Sequence, residues 1–77
     1  MKIKVLLFGQ ISEIAGQKLI MMENVKDKNE LLRAVYAAYP ALSDMRFKIA
    51  INQQITETNL KLNDGDEVAL LPPFAGG

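Results

Sequence analysis

The sequence contains no cysteine and no histidine. The first absence excludes disulfide staples and thiolate metal sites, and the second removes the commonest general base and metal ligand. Most side-chain catalysis is thereby set aside, and any reacting group has to be a carboxylate, a hydroxyl, a lysine or a chain terminus. An excess of charge is missing too: nine Lys and Arg balance nine Asp and Glu. Such a chain has no overall field to gather nucleic acid or an anionic membrane, so neither is expected as a partner, and recognition has to rest on shape and local contact. No apolar run nears the ~18 residues of a membrane span, and Met1-Lys2-Ile3-Lys4 leads into a strand-like stretch instead of a signal peptide, so the expected location is cytoplasmic. There is no repeat, linker or low-complexity segment, and no glycine-rich phosphate loop.

What is present is 77 residues, 49% of them apolar. That is one domain, near the lower limit of what a single core supports without staples. Residues 2–8 alternate, with Ile3, Val5 and Leu7 on one face and Lys4, Leu6 and Phe8 on the other, as a strand does. Gly9 ends it. A short helical turn is expected over 10–15, with Gly16 suited to the left-handed position that closes it. Residues 18–23 form a second strand, antiparallel to the first. The period then changes: Asp27 and Glu30 precede an apolar stripe of Leu31, Leu32, Val35, Ala38 and Tyr39, a capping arrangement at the start of the main helix, which Pro40 stops. A third strand over 46–52 points Phe47, Ile49 and Ile51 inward. Residues 53–62 are polar and irregular, with room for a short strand and a turn. Asn63-Asp64-Gly65-Asp66 supplies turn chemistry before a last strand over 67–71.

The order β, β, α, β, β predicts an α+β roll: a mixed sheet of four to five strands with one main helix packed on one face. A right-handed crossover places that helix over Ile3, Val5, Leu7, Ile49 and Ile51, which become the core. The folded domain is expected over 1–71, with 72–77 an extended tail. The uncovered face should be polar if it meets only water. Leu6 and Phe8 break that rule, as does either Leu70 or the pair Ala69 and Leu71. If the first and last strands lie side by side in parallel, these residues gather where the tail departs and form a docking patch, unless the 10–16 segment covers them.

Pro72 and Pro73 fix their φ angles and donate nothing to a sheet ladder, so they end the last strand and launch the tail outward. Six residues reach roughly 20 Å at ~3.3 Å each. Phe74 offers an anchor, and Gly76 and Gly77 pass through channels too narrow for side chains. The terminal carboxylate is then the group such a channel meets. It becomes an acyl donor once ATP has converted it to an adenylate, which a sulfur or amine nucleophile opens.

The stretches LLFGQISEIAG at 6–16, AINQQ at 50–54 and, most specifically, LNDGDEVALLPPFAGG at 62–77 resemble the small subunits of molybdopterin synthase, the MoaD-type sulfur carriers, over the whole chain. The resemblance implies the ubiquitin-like β-grasp fold and a cycle of sulfur transfer. An adenylyltransferase related to those that activate ubiquitin uses ATP on the carboxylate of Gly77, and a sulfur-relay protein converts it to a thiocarboxylate. The tail then enters the large (MoaE-type) subunit of a heterotetramer and gives its sulfur to cyclic pyranopterin monophosphate, forming the dithiolene of molybdopterin. The carrier binds no cofactor or metal and is not catalytic alone. By the same resemblance Gly77 bears the sulfur with Gly76 beside it, and Phe8, Leu71, Pro72, Pro73, Phe74 and Ala75 meet the partners. Leu70-Leu71 stands where some relatives carry an aromatic pair, and Ser12 where some carry an arginine. Two rivals share the activation step. A ubiquitin-like modifier joins Gly77 to a lysine, and a thiamine-pathway sulfur carrier tends to lack both the 10–16 helical turn and the Pro-Pro-aromatic tail.

Overall fold

The alternation at the start of the chain becomes β1 (Lys2–Leu7), which buries Ile3, Val5 and Leu7 and leaves Lys2 and Lys4 in solvent. The structure is a computed structural model that describes residues 2–73. Its first helix, α1 (Gly9–Ala15), is two turns long where one was expected. Ile11 plugs it into the core. Gly16, at φ 74°, closes it by donating its N–H to the carbonyl of Ser12 at 2.8 Å, a left-handed geometry that costs glycine nothing. The chain returns as β2 (Leu19–Glu23), antiparallel to β1 with Leu6 opposite Leu19 and Lys2 opposite Glu23.

The main helix, α2 (Lys28–Ala38), starts where the capping pattern places it. The Asp27 carboxylate accepts the Glu30 N–H at 2.8 Å, while Glu30 reaches back one residue further than a standard capping box and accepts the Lys26 N–H at 3.0 Å. Residues 26–28 also pair with 60–62: Lys28 N–H donates to Leu60 and Leu62 N–H to Lys26. That pairing carries Val25 and Leu62 into the core. Pro40 opens a short 3₁₀ turn (Pro40–Asp44) that buries Leu42.

Three further strands complete the sheet: β3 (Lys48–Ile51), β4 (Gln54–Ile55) and β5 (Glu67–Leu71). The order is β2-β1-β5-β3-β4, parallel at β1 and β5 and antiparallel elsewhere. The mixed five-stranded sheet and its covering helix match the expected architecture, and β5 has the expected bounds. β3 is shorter than 46–52, yet Phe47 just before it packs inward on the core as expected, its ring 6.3 Å from that of Tyr36. Ile3, Val5, Val68 and Leu70 from the sheet meet Leu31 and Val35 of α2 in one core. Each such side chain contributes roughly 1.5–3 kcal/mol on burial. Among the described residues no helix is long and apolar enough to cross a membrane.

The caps give the fold an acid limb. The Glu30 N–H is the chief cause that holds the Asp27 carboxyl below its ordinary 3.8; desolvation opposes it, and the Asn59 amide and Arg33 add to it. Asp66 is lowered chiefly by the Asn52 side chain and then by the Asn63 N–H. A carboxyl depressed in the folded state gives stability that is full above its unfolded pKa and is lost as pH falls through its folded one. Thermal melts should therefore fall with acid below about pH 4, and D27N/D66N should flatten that fall while lowering the midpoint at neutral pH. Equal acid slopes in the two proteins would remove these carboxyls from the account.

Candidate functional site

Pairing decides what alternation left open on the last strand. β1 and β5 run in parallel with Leu6 beside Ala69 and Leu7 beside Leu70. Val68 and Leu70 are fully buried, so Ala69 and Leu71 face outward with Leu6. The ladder continues one step past β1, because the Phe8 N–H donates to the Leu70 carbonyl at 3.2 Å. That step sets Phe8, 43% exposed, alongside Leu71 where the tail departs. The structure thus sets side by side two of the residues for which the resemblance implies a partner contact.

The apolar surface runs further than expected. Register links Leu19, Leu6, Ala69, Ala50 and Ile55 into one row across all five strands. Leu19 and Ile55, at its ends, are about half exposed, and Met21 lies on the same face opposite Lys4. Ala50, assigned outward from its sequence, does lie on this face but is buried, its one methyl sheltered between Ala69 and Ile55. An apolar strip of this kind on the face without a helix is a candidate docking surface. Beside it a shallow cavity of about 470 Å³ is lined by Leu6, Phe8, Gly9, Ser12 and Lys18. Segment 10–16 borders the strip without covering Phe8 or Leu19.

The exit of the chain is fixed by a close contact. Gly9 has φ 57°, and a Cβ built on it would stand 3.1 Å from Cγ of Pro72. The Pro72 ring therefore rests against the backbone of the β1–α1 junction, half-buried, while Pro73 is exposed. Gly9→Ala should lower the thermal midpoint through a left-handed φ that costs a side chain about 1–3 kcal/mol. It should also displace Pro72, and Pro72→Ala in the same chain should recover part of the loss. A double variant no more stable than Gly9→Ala would show that the contact is incidental. Sequence reasoning passed over Gly9, Leu19 and Ile55, and only the long-range register reveals them. Phe74, Ala75, Gly76 and Gly77, together with the extended tail assigned to them, lie outside the described residues. Among the described residues no cluster of His, Cys, Asp or Glu could hold a metal.

A family model described as ThiS family matches residues 5–77. The chain is 37% identical to the molybdopterin synthase sulfur carrier subunit of Chlamydomonas reinhardtii, with 100% of each chain covered. In a protein complex of subunits 1 and 2 of the molybdopterin-converting factor from Helicobacter pylori, one chain is 31% identical, covered in full both ways, with a TM-score of 0.76. The small archaeal modifier protein SAMP1 of Haloferax volcanii is 25% identical over all of both chains, with a TM-score of 0.85.

Proposed function

Because the chain belongs to the ThiS family, we propose that it is the sulfur-carrying small subunit of molybdopterin synthase. One observation carries the reading: β5, paired on both sides, ends on Pro72 seated against Gly9, beside the outward Phe8 and Leu71. The described chain thus ends, at Pro73, beside the edge of an apolar strip. The chain has no cysteine or histidine, and the likeness to the sulfur carrier subunits supports the carboxylate of Gly77 as the reacting group. Its oxygen attacks the α-phosphorus of ATP on an adenylyltransferase, and pyrophosphate leaves. The outer sulfur of a persulfide on a relay protein then displaces AMP to give an acyl disulfide, and a second thiol of that machinery attacks the inner sulfur, forming a protein disulfide and leaving the thiocarboxylate on Gly77.

The large subunit covers the strip from Phe8 and Leu71 toward Leu6 and Leu19 and receives the tail in its own active site. There the sulfur passes to cyclic pyranopterin monophosphate in a heterotetramer of two carriers and two large subunits. Since a dithiolene needs two sulfurs, the carrier leaves, is recharged and returns. The work takes place in the cytoplasm, and ATP is consumed by the activating enzyme.

Likeness to the archaeal modifier supports a second reading, in which the activated Gly77 acylates a lysine amine. Intact mass of the chain after co-production with its adenylyltransferase separates the two. The carrier reading expects one oxygen replaced by sulfur at Gly77. Lysine conjugates with no sulfur gained would sink it and leave the modifier standing.

A further inference from the structure

The sheet has two edges, and they are guarded differently. At one, β4 is only two residues long, too short to template another strand. At the other, β2 runs Leu19–Glu23 with no proline and no charge before Glu23. Its pairing with β1 is unbroken, so no bulge turns it away from a neighbour. Edge strands of soluble proteins ordinarily carry at least one of these guards.

Register decides which backbone groups this edge leaves open. Leu7 donates its N–H to the Lys18 carbonyl at 2.9 Å, and alternation from there turns the ladder groups of Ile20 and Met22 toward β1. The N–H and carbonyl groups of Leu19, Met21 and Glu23 therefore point away from the sheet, and among the described residues they have no hydrogen-bond partner. The side chains of Leu19 and Met21 are 46% and 51% exposed. The same residues thus offer an open ladder and an apolar surface beside it.

The pattern along β2 suits one occupant. Residues 18–23 read Lys-Leu-Ile-Met-Met-Glu, basic at one end, acidic at the other and uncharged between. An antiparallel second copy brings the Lys18 end of one chain to the Glu23 end of the other, whereas a parallel copy sets like charges side by side. The outward groups meet only in registers that pair odd positions with odd. Centred on Ile20, such a pairing sets Leu19 of each copy against Met21 of the other and Glu23 against Gln17. Centred on Met21, it would set Leu19 against Glu23, an apolar side chain against a carboxylate.

We propose that two copies of the chain pair through β2 about a two-fold axis at Ile20, joining their sheets edge to edge. The contact lies in the plane of the sheet and leaves Phe8 and Leu71 open, so it does not depend on the sulfur-carrier reading. A seam this short is smaller than a standard interface, and the dimer is accordingly weak, with Kd roughly between micromolar and millimolar.

Sedimentation velocity of the full chain from about 10 µM to about 1 mM should show a reversible monomer–dimer equilibrium. Nitrogen-15 spectra over the same range should shift the amides of 19–23 together, and isotope-filtered contacts should join Leu19 of one copy to Met21 of the other. Met21→Lys places a charge on the seam, and Met21→Pro removes an N–H that β1 does not use. Each should weaken the dimer at least about tenfold. Leu60→Lys makes the same change of charge at another exposed apolar residue and should leave it unchanged. A chain monomeric throughout, shifts centred on Phe8 and Leu71, unchanged association in both Met21 variants, or equal effects of Met21→Lys and Leu60→Lys would overturn the proposal. So would a monomer whose 19–23 amides respond only to an added synthetic peptide of residues 17–24, since the edge would then take a foreign strand and not its own copy.

Discussion

Deleting Gly77 is expected to abolish sulfur loading while leaving the thermal midpoint unchanged. Among the described residues every member of the core lies between Ile3 and Leu70, and β5 keeps both of its ladders, so the thermal midpoint should hold. Chemistry should not. Shortening the tail withdraws the carboxylate proposed to react by about 3.3 Å from the reach it has when Pro72 is seated on Gly9. A misplacement of ~1 Å at a reacting centre already costs on the order of a hundredfold. Intact mass after co-production should show no sulfur, and product formation with the large subunit should fall by at least about a hundredfold. A truncated chain that still loads and transfers sulfur would refute the assignment of Gly77.

Phe8→Asp and Leu71→Asp are expected to separate the carrier from the large subunit without unfolding it. Phe8 is 43% exposed and Leu71 faces outward, so a carboxylate at either position stays wet in the free protein. In a complex that covers the strip, the same carboxylate would be buried without a partner. Loss of a buried Leu or Phe contact alone is worth roughly 1.5–3 kcal/mol, or about ten- to a hundredfold in affinity, before desolvation of the new charge is counted. Calorimetric or surface-binding titration with the large subunit should show that loss, with thermal midpoints close to the parent. Unchanged affinity would remove these residues from the interface.

Much of the ubiquitin-like β-grasp fold was legible because its strongest signals are local. Alternation in β1, the Asp27 and Glu30 cap before α2, the stop at Pro40 and the turn chemistry before β5 act within a few residues of themselves. Less legible was whatever depends on pairing between distant segments. Alternation in β5 has two phases, and only β1 and β3 on either side decide that Leu70 is buried and Leu71 is not. The β3–β4 hairpin turns at Asn52 and Gln53 with φ 50° and 72°, a geometry that usually announces itself with glycine. Here distant groups support it: Asn52 donates to Asp66 at 3.0 Å and accepts the Glu67 N–H at 3.0 Å. The docking row from Leu19 to Ile55 draws on all five strands, and no window of sequence contains it.

The position of β5 also bears on force. It is the last strand in the chain yet sits in the middle of the sheet, between β1 and β3, and the tail continues directly from its end. A pull on the chain beyond β5, as withdrawal from the proposed partner would apply, therefore runs along the strand axis and loads both ladders in shear. Their hydrogen bonds have to give way together and cannot peel one at a time from an edge. A tether rooted this way transmits tension to the whole body, so each release from a partner strains the grip of that partner before it strains the fold.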